Sequence, residues 1–224
     1  GCVRDLLMSR VPFDWDITTN ALPEDIQKLF ENTFYENDYG TVGVVNEKTE
    51  DETLKVVEVT PYRAEGKYTD KRRPDTVKFV ANLEEDLHRR DFTVNAIAYD
   101  PSKGQIVDPY KGQKDIKDKI IRAVGKPEER FDEDALRILR AIRIATETGF
   151  TIEENTEKAL INKANSLESI SKERIRDEFV KIVMAEKPMS GVIMMHKLGV
   201  LKYVSPETEK GLHVKQNGDH IYDV

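Results

Sequence analysis

Two aspartates, Asp14 and Asp16, stand one residue apart in the run Phe13-Asp14-Trp15-Asp16-Ile17. On a strand, alternate side chains share a face. Phe13, Trp15 and Ile17 would then face a core, and the two carboxylates would lie side by side on the opposite surface. Carboxylates that close repel unless a cation sits between them, and all-oxygen ligands suit a hard divalent ion such as Mg²⁺. Taken alone, the pattern also fits an exposed strand face or an Asp pair making turn and cap bonds. A third acid, Glu58, falls in Val56-Val57-Glu58-Val59, a run that otherwise reads as a buried strand. A carboxylate there is costly unless it is paired with an arginine or bound to metal. Three carboxylates on neighbouring strands can hold two metal ions about 4 Å apart for in-line displacement at phosphorus.

A second constellation is Glu133-Asp134-x-x-Arg137, extended by Arg140 and Arg143. On one helix, Asp134 and Arg137 would share a face, the first offering acceptors and the second a fork of donors. Together they can match the Watson–Crick edge of cytosine or adenine but not of every base, each well-formed contact giving roughly 1–3 kcal/mol of discrimination. The alternative is a surface helix laced with i,i+3 and i,i+4 ion pairs. Arg89-Arg90-Asp91 reads either as a nucleotide contact or as a helix cap with two solvated arginines. Arg174 and Glu178, four residues apart, read as an i,i+4 salt bridge.

The elements that must position these groups change character along the chain. Residues 13–18 alternate as a strand does, and Pro23 opens a helix within 20–30. Tyr39 to Val45 and Thr53 to Tyr62 form two β-rich runs that predict a hairpin. Residues 61–78, with Arg63, Gly66, Tyr68, Asp70, Arg73 and Pro74, are polar and predict a mobile loop. Asp91 is placed to cap a short helix through Asn95 and Ala98, a strand is expected at 105–107 and a polar helix near 111–118. From Pro127 the pattern is helical. Leu136, Leu139, Ile142 and Thr146 share one face of a helix running from about Asp132 to Gly149, and helices over 153–165 and 171–185 follow. The fold class predicted is α+β: a head over 1–124 with a small mixed β-sheet, then an all-helical neck and start of a body over 125–224.

The chain has 224 residues, 38% hydrophobic and 34% charged, with a net charge of −7. That charge argues against nucleic acid as a partner only on average, because basic residues cluster at Lys71-Arg72-Arg73, Arg89-Arg90 and Arg137, Arg140, Arg143. No apolar stretch approaches the roughly 20 residues of a membrane span. The first residues carry charge and no apolar core, so they are no signal peptide, and the absence of an initiator methionine implies residues upstream. The single cysteine, Cys2, leaves no internal disulfide and no cysteine-based zinc site, which fits a reducing cytoplasm.

Four motifs occur in an order that resembles the class II, bacterial-type tRNA nucleotidyltransferases of the polymerase β superfamily. These are Gly1-x-Val3-Arg4-Asp5 with Asp14-x-Asp16, Arg89-Arg90-Asp91-Phe92-Thr93-x-Asn95-Ala96, Arg130-Phe131-x-Glu133-Asp134-Ala135-x-Arg137, and Ser171-Lys172-Glu173-Arg174-Ile175-x-x-Glu178. The resemblance implies a nucleotidyltransferase head followed by a helical neck and body. It implies addition of C, C and A to the tRNA 3′ end from CTP and ATP with two Mg²⁺ ions, in the cytoplasm, with no membrane and no protein partner. Asp14 and Asp16 become metal ligands, with Glu58 as the third carboxylate. Gly1 and Arg4 approach the triphosphate. Arg90, Asp91 and Asn95 hold the nucleotide at its ribose. Glu133, Asp134 and Arg137 read the base, and Arg140 and Arg143 contact nucleotide or phosphate.

Bacterial poly(A) polymerases share that head but resemble one another in a Gly-Arg-Arg-Phe-like run. The matching Tyr39-Gly40-Thr41-Val42-Gly43-Val44-Val45 has no arginine, which favours the CCA-adding branch. The loop at 61–78 favours full CCA over CC-only addition, and an A-adding enzyme stays open. An HD-type phosphohydrolase would need a His-Asp pair, and His88, His196, His213 and His220 are each followed by another residue. An inactive RNA-binding module is the other rival, opposed by three clustered acids that would repel RNA phosphate unless metal neutralised them.

Overall fold

A computed structural model describes residues 1–35, 40–65, 77–80, 82–212 and 214. The chain forms two compact units that divide between Asp118 and Lys119.

The first unit opens with helix α1 (Cys2–Leu7) and strand β1 (Asp16–Thr19), followed by helix α2 (Pro23–Leu29), with Pro23 in its first turn, and strands β2 (Thr33–Tyr35), β3 (Val42–Val45) and β4 (Val56–Pro61). These strands make a four-stranded mixed sheet in the order β1-β4-β3-β2. β1 runs parallel to β4, while β3 is antiparallel to both neighbours. The hairpin predicted from the two β-rich runs is therefore present as β3 and β4. Ile26 of α2 packs with Val42 and Val59 to form a small core on one face of the sheet.

Strand β1 starts at Asp16, later than the alternation in 13–18 predicts. Phe13 is 89% exposed and Ile17 51%, so the apolar side of that alternation does not enter the core. Val56 and Glu58 are exposed too, and the reading of Glu58 as a costly buried acid is overturned: the strand is the one next to the sheet edge, and its buried side chains are Val59 and Pro61.

Strands β5 (Arg63–Glu65) and β6 (Val77–Phe79) pair antiparallel, so the ends of the segment predicted to be a loop form a ladder. Gly66, Tyr68, Asp70, Arg73 and Pro74 of that prediction lie outside the described residues, as do the Lys71-Arg72-Arg73 cluster, Tyr39, His213 and His220. Helix α3 (Leu83–His88) leads into a single 3-10 turn, Thr93–Asn95, shorter than the capped helix expected at Asp91. Strands β7 (Ala98–Asp100) and β8 (Gln105–Val107) form a hairpin, and helix α4 (Gly112–Asp118) ends the unit. Leu87, Phe92 and Val94 are fully buried.

The second unit is helical apart from the two-residue pair of β9 (Ile120–Ile121) and β10 (Thr151–Ile152). Helices α5 (Pro127–Glu133) and α6 (Leu136–Thr148) replace the single helix predicted from about Asp132. They are separated at Asp134, whose backbone is extended at φ −145°, ψ 107°. α6 stops at Gly149 as predicted, and its Leu136, Leu139, Ile142 and Thr146 are all buried. Helices α7 (Glu154–Lys163), α8 (Lys172–Val183), α9 (Pro188–Lys197), α10 (Leu201–Val204) and α11 (Pro206–Gly211) follow, and α6 packs against both α8 and α9. The α+β class with a small mixed sheet in the head and helices after it is the architecture observed.

Candidate active site

The parallel pairing of β1 and β4 sets Asp16 directly beside Glu58, and side chains in register on adjacent strands project to the same face of a sheet. Asp14 lies just before β1. Its carboxylate converges with that of Asp16 on Gly1, because a Cβ built there would stand 3.3 Å from Asp16 Oδ2 and 3.5 Å from Asp14 Oδ1. Glycine leaves that space open, and two exposed carboxylates reach one point. Among the described residues, no group of three or more His, Cys, Asp or Glu side chains is gathered closely enough to hold a metal ion. The three-acid cluster expected from the sequence therefore reduces to a converging pair, Asp14 and Asp16, with Glu58 beside Asp16 in strand register. Hard oxygen donors around an open, solvent-facing point still fit a hard divalent cation.

Next to this pair a chain of hydrogen bonds joins α1 to the 3-10 turn. Arg4 donates through Nη1 to Asn95 Oδ1 (2.8 Å) and through Nε to Asp5 Oδ1 (2.8 Å). Asn95 donates through Nδ2 to Asp91 Oδ1 (3.2 Å), which also accepts from the backbone N–H of Phe92 (2.8 Å). Arg90 Nη1 donates to Asn95 O at 3.3 Å. Five residues singled out in the sequence, Gly1, Arg4, Arg90, Asp91 and Asn95, are thus brought together, drawn from two segments some ninety positions apart.

Sequence reasoning missed Asp86. It is fully buried and accepts from Arg89 Nη2 (2.7 Å) and Nε (3.0 Å), Arg90 Nη2 (3.3 Å) and the backbone N–H of Arg63 (3.3 Å). The signal was available: Asp86 precedes Arg89 and Arg90 by three and four residues, the spacing at which helical side chains meet. Arg90 Nε is buried with no hydrogen-bond partner among the described residues.

In the second unit Asp134 and Arg137 do not share one helix face, because the chain is extended at Asp134. Its Oδ1 accepts from the backbone N–H of Leu136 (3.0 Å), and its Oδ2 accepts from Arg174 Nη2 (2.7 Å). Arg137 is paired with Glu133 and donates to Arg130 O at 3.3 Å. Arg143 donates to Glu178 Oε2 (2.7 Å) and to both oxygens of Glu147 (3.0 Å). Arg140 lies 4.0 Å from Glu178. The i,i+4 bridge expected between Arg174 and Glu178 is replaced by two longer-range pairs: α8 uses Arg174 to hold Asp134 and the buried Glu178 to hold Arg143. Sequence spacing favours the local partner, but burial of Glu178 between packed helices rewards the partner on α6. One pair on this stripe is intrahelical, Arg143–Glu147 within α6, while Arg137–Glu133 spans the break between α5 and α6.

The two described histidines each lie beside a polar partner. His88 Nδ1 lies 2.9 Å from the Tyr110 hydroxyl, and His196 Nδ1 lies 3.1 Å from Glu209.

The Poly A polymerase head domain matches residues 1–122, and the probable RNA and SrmB-binding site of polymerase A matches residues 149–212. The CCA-adding enzyme of Lactobacillus helveticus (strain DPC 4571) is 50% identical over 183 residues, covering 81% of this chain and 44% of that enzyme. The crystal structure of the Bacillus stearothermophilus CCA-adding enzyme in complex with CTP has a TM-score of 0.83 at 40% identity, over 95% of this chain and 51% of that one. The Thermotoga maritima CCA-adding enzyme complexed with tRNA has a TM-score of 0.73 at 28% identity, over 92% and 47%. The chain spans about half the length of the curated relatives it matches. Motif order, a mixed sheet bearing paired acids and a matching head domain converge on one assignment: the chain belongs to the Poly A polymerase head-domain family of nucleotidyltransferases, which includes the bacterial CCA-adding enzymes.

Proposed function

We propose that this chain carries the catalytic head (residues 1–124) and the nucleotide-selecting neck (from residue 125) of a template-independent, cytoplasmic enzyme that adds C, C and A to the 3′ end of tRNA from CTP and ATP. The observation that carries this reading is the convergence of Asp14 and Asp16 on the open space at Gly1, beside the Arg4–Asn95–Asp91 chain. Relatives named CCA-adding enzymes, one of them crystallised with CTP and another with tRNA, support it.

In this reading Asp14 and Asp16 hold Mg²⁺, two ions in all, with Glu58 at hand beside Asp16. The metal supplies activation of the attacking 3′-hydroxyl and neutralisation of the charge that develops on the triphosphate. The protein's own groups position. Arg4 and the Gly1 backbone lie along the triphosphate, and Arg90 offers its unpartnered Nε to an anionic ligand. Asp91 accepts from the ribose hydroxyls, with Asn95 fixing its direction, which favours NTP over dNTP. Asp134 and Arg137, with Glu133, present acceptors and donors to the base, while Arg140 and Arg143 contact nucleotide or phosphate. Groups held this way spare reorganisation when the bond forms.

Among the described residues no helix is long and apolar enough to cross a membrane. The partners proposed are tRNA, CTP and ATP. The test is to supply tRNA ending at the discriminator base with CTP, ATP and Mg²⁺ and to sequence the products. Addition of CCA by the wild-type chain, and none by Asp14→Ala, is the expected result. CC alone, A alone or a poly(A) tract would reassign the chain within the family, and no addition would overturn the reading.

A further inference from the structure

Helices α1 and α4 both pack against the Thr93–Asn95 turn and against each other. α4 comes as close as backbone allows: a Cβ on Gly112 would stand 2.1 Å from Thr93 O and 2.8 Å from Ile97 Cγ1. This approach is held from both sides. Upstream, the Asp108 carboxylate accepts from the backbone N–H of Gly112 (2.7 Å) and of Gln113 (2.9 Å). Between them Lys111 takes φ +61°, a left-handed conformation unfavourable for a residue with a side chain. Downstream, Asp115, 3% exposed, accepts the Thr93 hydroxyl at 2.7 Å. A strained residue, a glycine without alternative and a buried carboxylate all serve one contact, the grip of α4 on the turn.

That turn ends in Asn95, whose side chain spans Arg4 and Asp91 and whose carbonyl accepts from Arg90. We infer that Thr93 and Asp115 are positioning residues for sugar recognition. Their bond fixes the turn, the turn fixes Asn95, and Asn95 aims Asp91 and Arg4, so the distinction between a ribonucleotide and a deoxyribonucleotide depends on a side-chain pair beneath the contacts themselves. The inference rests on the assignment of Asp91 and Asn95 to the ribose made above. It adds that the discriminating geometry is set from α4, which carries none of the nucleotide-contacting residues.

The test compares dissociation constants for CTP and dCTP, measured by calorimetry on this chain with Mg²⁺, for wild type, Thr93→Val and Thr93→Ser, with the thermal midpoint of each recorded. Valine keeps the shape and removes the hydroxyl; serine keeps the hydroxyl. Thr93→Val is expected to lower the preference for CTP by roughly five- to tenfold, the weight of about one hydrogen bond, with dCTP binding little changed. Thr93→Ser is expected to hold the wild-type preference within about twofold. A purely structural role would lower the midpoint of Thr93→Val and leave the preference intact, and that result overturns the inference. If Thr93→Val does not fold, Thr93→Ala removes the hydroxyl without adding bulk and is read in the same way. A wild type that binds CTP and dCTP equally would instead overturn the ribose assignment, and the inference with it.

Discussion

Replacing Arg174 by alanine removes the guanidinium that lies 2.7 Å from Asp134 Oδ2. Asp134 sits in extended backbone between α5 and α6, and apart from Arg174 its side chain is held by the Leu136 N–H alone among the described residues. A hydrogen bond to a charged group contributes about 1.5–3 kcal/mol. Both side chains keep some solvent contact, 24% for Arg174 and 16% for Asp134, which places the pair at the low end, about 1.5 kcal/mol. If Asp134 reads the base, that loss falls on selection. The single-turnover kcat/KM for CTP should drop roughly tenfold and the ratio of CTP to UTP incorporation should fall with it. The thermal midpoint would drop as well, so Arg174→Lys is the companion variant: it keeps the charge, loses the planar fork, and should give an intermediate ratio. The assay is rapid-quench incorporation into tRNA ending at the discriminator base. A lowered midpoint with an unchanged CTP-to-UTP ratio would refute the reasoning, because the anchor would then stabilise the neck without aiming Asp134.

Asp14→Ala should abolish incorporation while changing stability by no more than about 0.5 kcal/mol, since the side chain is exposed and its neighbour is another acid; loss of the folded state in urea titration would contradict this. Gly112→Ala should destabilise the head by about 3 kcal/mol, because its Cβ would meet Thr93 O at 2.1 Å and the backbone must move; an unchanged denaturation midpoint would show that α4 is not pinned to the turn. Glu153 is partly desolvated, which alone would raise its pKa, but hydrogen bonds from Thr156 and Asn155 and the charge of Arg122 prevail and hold it below its ordinary 4.5. A depressed folded value stabilises above the unfolded pKa and is lost as pH falls. The wild-type midpoint should therefore decline below about pH 4.5 more steeply than that of Glu153→Gln, and parallel curves would count against the cap. Deletion of the 61–78 loop should spare C addition and abolish A addition; equal loss of both would reject a role for that loop in the change from C to A addition.

Much of the head was legible because its signals are local. Val42 to Val45 and Val56 to Pro61 are β-rich and separated by a polar turn, and they pair as that pattern says. Gly149 ends α6, and Pro188 follows α8. What escaped depends on which of several permitted partners wins. Phe13 and Ile17 alternate with acids like core residues yet stay exposed, because periodicity gives the relative faces of a strand and not which face is covered. Arg174 and Glu178 have the spacing of a mutual pair, but packing of α8 on α6 gives Glu178 the less exposed Arg143, and Arg174 pairs with Asp134 at the break between α5 and α6. The periodicity of Leu136, Leu139, Ile142 and Thr146 predicts a helix from about Asp132 and so includes Asp134; there the chain is extended and the Asp134 carboxylate takes the Leu136 N–H, a competition with helix that Asp commonly enters.

The same competition bears on net charge. A net charge of −7 opposes binding of triphosphate and RNA on average. Several acids here are spent on arginines: Asp86 on Arg89 and Arg90, Asp5 on Arg4, Asp134 on Arg174, Glu178 on Arg143. Such pairing does not disarm a guanidinium, which has five N–H donors in one plane. Arg90 donates through Nη1 to Asn95 O and through Nη2 to Asp86, and its Nε has no partner among the described residues. An arginine held by an acid on one edge presents its other edge in a fixed direction, at smaller entropic cost on binding than a free side chain. Acid excess and phosphate recognition are then compatible, provided the acids stand behind the arginines. Asp14 and Asp16 differ in that both are exposed and converge on the open space at Gly1, an arrangement of hard oxygen donors in which a divalent cation is suited to supply the compensating charge.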